Sequence, residues 1–482
     1  MVTFSEFRHA VRRYAPSELL PALAARSSKI ASKRLYTNSL TTEEQQRILA
    51  YAAIARISML YGNEFRNSSV DESVIIKLVN YFWEAEDAAH DPEIDIWALV
   101  SAFMYEQFTL QGTSRDELIR SYLMLCETSV DEALAMPNAD DWKELLGASI
   151  NEAFSAAFMF YVVAINGNGV IDGSFIDSQA YTRLEKGVSR ESAYKTLTLL
   201  TASIEEVKLD AAAAAARSQV PASLERFSYN PLSRTPIIEL TPGTRIAPQP
   251  EFILHTMSPE NLYYRGMRQW ADRQFGKAYG ARVEAYTGMQ LMHSGKFTVE
   301  REFKYQKSGS EARSSDWFLI TPSATFIIEC KSARMSLLAK AGSQSFPTVF
   351  EEHITKAYKQ LDENAKQIKN GNPSFAHIPR DKPLIGLVVA AEPLYSANDP
   401  SIRELLPDTD IPILTVTLRD IELISTLDPD DLGRALSNIA NDATEPGWNI
   451  AAAVLSVLGI EGFPKNRLME EAFDRVFLPT LD

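Results

Sequence analysis

Cysteine is scarce: the chain of 482 residues has two, Cys126 and Cys330, both in apolar surroundings. That excludes a disulfide framework and reads as free thiols in a reducing cytoplasm. The six histidines are scattered. None shows metal-ligand spacing, so a zinc site is not expected. No run of about 18 uncharged apolar residues occurs, so no membrane span is expected. Met1 to Tyr14 carries scattered charges and no apolar core of signal-peptide length. Asn166-Gly167-Asn168-Gly169 lacks the third glycine and the strand context of a dinucleotide loop, and reads as a turn. No internal repeat is apparent. Positive charge is also short. The net charge is −15, which argues at first sight against a nucleic-acid partner.

What is present is ordinary for a globular protein, with 45% hydrophobic and 23% charged residues. The length allows two or three domains, each with its own core. The charge is uneven. Between Arg265 and Lys382 there are 19 Lys and Arg against 12 Asp and Glu, so this stretch is +7 and the remainder about −22. A phosphate-binding surface requires such a local excess.

Residues 1–220 read as an all-helical domain suited to regulation, partner binding or dimerisation. Thr41 caps a helix that runs to Tyr61 and stops at Gly62. Asp71–Ala89, Ile94–Phe108, Arg115–Thr128, Trp142–Ala164 and Ser189–Arg217 continue the helical pattern. Residues 221–259 are a connecting segment punctuated by Pro221, Pro231, Pro236, Pro242, Pro248 and Pro250. It contains short extended pieces, Pro236–Leu240 and Glu251–Leu254, and too many apolar residues for a free tether. Residues 260–425 alternate helices and strands. They comprise a helix from Glu260 broken near Gly266, a strand Lys296–Lys304, and a polar loop Lys307–Ser314. After a connection at Met335–Phe350 come a helix Glu351–Lys369 and buried strands Pro383–Ala391 and Ile411–Leu418. Residues 426–482 return to helices. The fold class is α+β/α/β, with a mixed sheet flanked by helices.

The chemistry concentrates between Ser315 and Lys331. Trp317–Ile320 and Thr325–Cys330 are β-prone apolar runs, and Thr321-Pro322-Ser323-Ala324 supplies the turn. A turn centred on Pro322–Ser323 makes paired residue numbers sum to 645. Asp316 then faces Glu329, with Lys331 two residues on and pointing to the same side. Opposed acids repel by about 0.2–1 kcal/mol even when exposed. Apolar flanks raise that cost, and a divalent cation reverses it.

Asp316, followed by Glu329-Cys330-Lys331 at the end of an apolar strand, resembles the PD-(D/E)xK nuclease superfamily. Gly280-Ala281-Arg282-Val283-Glu284-Ala285-Tyr286 matches the acid-bearing helix that precedes the pattern. Lys356-Ala357-Tyr358-Lys359-Gln360-Leu361 matches the polar helix that follows it. Ser315 stands where the family name has proline. The resemblance spans about 140 residues, Tyr264 to Pro400. It implies a restriction-endonuclease-like α/β/α domain and hydrolysis of phosphodiesters with Mg²⁺, or Mn²⁺ as a substitute.

On that resemblance, Asp316, Glu329, Glu284 and the Cys330 carbonyl bind metal. Lys331 positions the attacking water or stabilises the phosphorane charge, and Gln360 assists. Arg282, Arg313, Arg334, Lys356 and Lys359 are the phosphate-contact candidates. Tyr263 and Tyr264 are placed in the core rather than against bases. The expected function is a DNA endonuclease, DNA rather than RNA, of the kind found in prokaryotic defence, with the helical half controlling when it cuts. Two alternatives stand beside it. One is a catalytically silent nuclease-fold module that binds nucleic acid or protein. The other is an interaction protein whose helical half is the active part.

Overall fold

A computed structural model describes the chain except residues 1, 38–39, 67, 86–98, 100–101, 103–113, 132–133, 135–136, 219–221, 271–272, 308, 333, 335–345, 395–396, 443–448 and 478–482. The expected helix Ile94–Phe108, the end of Asp71–Ala89 and most of the connection Met335–Phe350 lie outside the described residues.

The molecule mixes helices and sheets. In the first half, the helix Thr42–Tyr61 begins where expected. The Thr41 side chain accepts from the Glu44 N–H and the Glu44 carboxylate accepts from the Thr41 N–H, which satisfies two otherwise orphaned donors. Other boundaries differ. Trp142–Ala164 is two helices, Ala139–Leu146 and Ile150–Asn166, separated at Gly147, whose φ of 75° ends the first. Among the described residues, this stretch is the one long and apolar enough to cross a membrane by length and composition, and most of it is buried inside the molecule.

The first half is also not all helical. Strands β1 (Val170–Ile171) and β2 (Thr201–Ser203) pair with β3 (Ile237–Thr241) and β4 (Thr244–Ile246) in the order β1-β4-β3-β2. The β3–β4 hairpin of the proline-rich segment is therefore the middle of a sheet whose outer strands come from before residue 220. β2 interrupts the expected helix Ser189–Arg217, whose two pieces are Arg190–Leu200 and Ile204–Ser218. Three residues between two strong helix formers leave no visible change of period. Glu251–Leu254, expected to be extended, belongs to the helix Glu251–His255, in which every residue is buried. Burial all round removes the periodicity that distinguishes a helix from a strand.

The second half is built on five strands. They are β5 (Thr298–Arg301), β8 (Trp317–Ile320), β9 (Thr325–Lys331), β10 (Leu384–Ala390) and β11 (Ile413–Thr417), in the order β11-β10-β9-β8-β5. β9, β10 and β11 run parallel, while β8 is antiparallel to β9 and to β5. β10 is buried throughout, as a central strand covered on both faces must be. One face packs Trp317, Leu319, Phe326 and Ile328 against Val283 and Tyr286 of the helix Arg273–His293. The other packs Phe318, Ile327 and Val388 against Ile354, Ala357 and Leu361 of the helix Phe346–Lys369. The first of these cores is continuous with residues of the first half, among them Leu118, Phe154 and Phe160. The two halves thus share one core.

Two further expectations are corrected. The polar loop Lys307–Ser314 is a ribbon of β6 (Lys304–Lys307) and β7 (Ser310–Arg313). The break expected at Gly266 falls instead after the helix Pro259–Gln269. Gly266 lies inside that helix, and glycine is required there because a Cβ would sit 2.2 Å from the Phe275 ring.

Candidate functional site

The hairpin β8–β9 sets the site. Trp317 pairs with Ile328, Phe318 with Ile327, Leu319 with Phe326 and Ile320 with Thr325, so every pair sums to 645 as expected. The turn closes through Thr321, whose N–H and hydroxyl both donate to the Ala324 carbonyl at 2.9 Å. The ladder ends one pair short of Asp316 and Glu329.

Asp316 instead belongs to a β-bulge. Arg301 pairs with Trp317 on one side of it and Lys304 with Arg313 on the other. Between these pairs, Glu302 and Phe303 face three residues, Ser314, Ser315 and Asp316. The extra residue turns the chain and re-aims the side chain that follows. The Asp316 carboxylate therefore caps the edge of β9, accepting from the Cys330 N–H at 2.6 Å. Strand geometry directs the Cys330 carbonyl to the same edge. Its thiol packs into the core, and burial pushes its pKa well up.

Glu329 and Lys331 project toward the helix Phe346–Lys369. Lys331 Nζ donates to Glu329 Oε1 at 2.7 Å and to Gln360 Oε1 at 3.0 Å. Glu329 Oε2 is buried with no hydrogen-bond partner among the described residues. Burial, and then the nearby Glu329 charge, push the Asp316 carboxyl up to about 8. Burial raises Glu329 as well, against the lowering effect of Lys331.

Glu284 arrives from the opposite face. Gly288 lets its helix approach closely, since a Cβ there would lie 2.1 Å from the Trp317 indole. The indole N–H donates to the Glu284 carbonyl at 3.1 Å, fixing the helix against β8. The Glu284 carboxyl lies 3.7 Å from the Arg301 guanidinium. Burial is the first cause of its raised pKa, and the charges of Glu302 and Glu329 contribute. The structure thus brings together Asp316, Glu329, Lys331 and Gln360, with Glu284 in electrostatic reach.

Among the described residues, no group of three or more His, Cys, Asp and Glu side chains is arranged to hold a metal. Two carboxylates suffice for Mg²⁺, which keeps several waters and takes other oxygens from substrate phosphate. An orphaned buried carboxylate oxygen beside a second buried acid fits a hard cation, because either alone would be costly.

The phosphate-contact candidates separate. Arg282 is half-buried and donates to the Thr128 carbonyl and to Thr128 Oγ1. Arg334 is only 7% exposed and stacks on Tyr263 and Tyr279, so it faces inward. Tyr263 packs on the core, as expected. Arg313 is exposed but paired with Glu302 at 2.8 Å. Lys356 and Lys359 are exposed and have no ion pair among the described residues. The Lys356 charge also reaches Glu329. Sequence reasoning missed Asn364, one turn beyond Gln360, which is buried and bonded to the bulge. It also missed Arg301, the partner of Glu284.

Comparison with protein-family models, with curated proteins and with solved structures gives no match.

Proposed function

We propose that this chain is a metal-dependent nuclease of the PD-(D/E)xK kind, built on a restriction-endonuclease-like sheet, and that it hydrolyses phosphodiesters in DNA. The observation that carries the reading is the convergence of Asp316, Glu329 and Lys331 at the carboxyl end of β9, with Gln360 bonded to the lysine. A structural ion pair needs one acid for one lysine. Here Glu329 faces Lys331, and Asp316 is a second acid beside them, with Glu284 in electrostatic reach.

Asp316 and Glu329 are the residues that would hold Mg²⁺, with the Cys330 carbonyl at the same edge. A bound Mg²⁺ would neutralise scissile phosphate charge and lower the pKa of a coordinated water. Lys331 is held by Glu329 and Gln360, which leaves one of its three N–H donors for a phosphate oxygen or the attacking water. Glu284, raised by burial, would orient that water and accept its proton. Lys356 and Lys359 bind flanking phosphates, and Arg282 and Arg334 are spent on packing.

The test is supercoiled plasmid incubated with the full chain and Mg²⁺ or Mn²⁺. Nicking or linearisation is expected, abolished by EDTA and by Asp316→Ala or Lys331→Ala. Cleavage that survives either substitution contradicts the site.

A further inference from the structure

We propose that Asn364 is a positioning residue that holds the bulge open and so aims Asp316; this rests on the site reading above. A bulge leaves its extra residue without a ladder partner. Ser315, fully buried between the two paired ends, has an N–H with no backbone acceptor among the described residues. The Asn364 side-chain carbonyl accepts from it at 3.3 Å. The other end of the Asn364 amide donates to the Gln360 carbonyl at 2.8 Å. Only this orientation serves both, since the Ser315 N–H can only donate and a carbonyl can only accept.

The surrounding bonds show what the anchor controls. Ser314 Oγ accepts from the Phe303 N–H and donates to the Ser315 carbonyl, and the Glu302 N–H donates to the Asp316 carbonyl at 2.9 Å. These hold the bulge along the β5–β6 edge. Asn364 is its one tie to the helix Phe346–Lys369 among the described residues. That helix also presents Gln360 to Lys331, so a single helical turn sets the lysine and the aspartate together. Without the tie, the three-residue side of the bulge is free to shift register, and a one-residue shift turns a side chain to the other face. An asparagine does this without adding a further acid to a place that already holds two.

The experiment compares the wild-type chain with Asn364→Leu, and with Asn364→Ser should the leucine variant fail to fold. Amide exchange is read at Ser315–Trp317 and along β9 and β10, and Mn²⁺ affinity is read by calorimetry. Exchange at Ser315–Trp317 is expected to quicken about tenfold, the factor set by one lost buried hydrogen bond, with β9 and β10 unchanged. Mn²⁺ affinity is expected to fall about tenfold or more, as for other residues that orient a ligand. Unchanged exchange at Ser315–Trp317, or faster exchange with unchanged Mn²⁺ affinity, overturns the proposal. If the wild-type chain binds no Mn²⁺, the nuclease reading falls instead. The exchange result then decides whether Asn364 anchors the bulge.

Discussion

The helix Arg273–His293 carries two buried acid–base clusters two residues apart, and they are built on opposite plans. At Tyr286, Arg120 from the first half makes a bidentate pair with Glu422. The Tyr286 hydroxyl donates to the same carboxylate at 2.6 Å, Gln290 donates to Tyr286 at 2.8 Å, and Asn466 donates to Gln290 and to the Glu422 carbonyl. One cation meets one anion, and the polar atoms around them are spent on each other. At Glu284 the plan is reversed. Asp316 and Glu329 share one lysine, Glu284 adds its charge from beside Arg301, and a buried carboxylate oxygen of Glu329 has no partner among the described residues. A satisfied network holds the halves together. An unsatisfied one at the mouth of a sheet is where a ligand is expected, because an ill-paired buried charge is retained only where it serves another purpose.

Breaking each cluster should therefore give different results. The largest effect is expected from Arg120→Met, which leaves Glu422 buried and uncompensated. A loss of about 3–5 kcal/mol in urea denaturation is expected, unrelieved by Mg²⁺. Lys331→Met should cost less, about 1–3 kcal/mol, because Glu329 is already raised and can take up a proton. Mg²⁺ should recover part of that loss, while plasmid cleavage stays absent.

Asp316→Asn should have the opposite sign. Between the unfolded carboxyl range near 4 and the folded value of about 8, the folded chain holds more protons than the unfolded one. Its contribution to stability therefore falls as pH rises through that window. In metal-free buffer near pH 8 the asparagine variant should be more stable by about 1 kcal/mol, with a flatter pH profile. A variant less stable than wild type under those conditions would mean that Asp316 is satisfied in the fold. The smallest effects are expected from Lys356→Gln and Lys359→Gln. Each should lower the slope of log DNA affinity against log salt by about 1 and leave metal affinity unchanged.

The sequence made the central hairpin legible because Pro322 and Ser323 leave one turn position, and a turn position sets the register of everything beyond it. The helix starting after Thr41 and the buried strands β10 and β11 were legible for similar reasons: a cap, or an unbroken apolar run. The bulge was not. It depends on counting residues across two strands at once, and Ser314-Ser315 reads as an ordinary polar link. The ribbon β6–β7 was hidden in the same way, its exposed polar residues resembling a loop. Asn364 gave no signal, since a polar residue on a helix is usually solvated. Arg334 misled for the converse reason, because an arginine three residues past Lys331 looks like a phosphate contact until Tyr263 and Tyr279 are seen around it.

The most direct measurement is calorimetric titration of Mg²⁺ into the full chain near pH 6 and near pH 8. One binding event is expected, tighter at the higher pH and releasing a proton, because an acid raised to about 8 must ionise to bind a cation. It should be absent from Asp316→Asn. No binding at either pH, or equal binding by the variant, would contradict the claim that the acids at the end of β9 are a cation site.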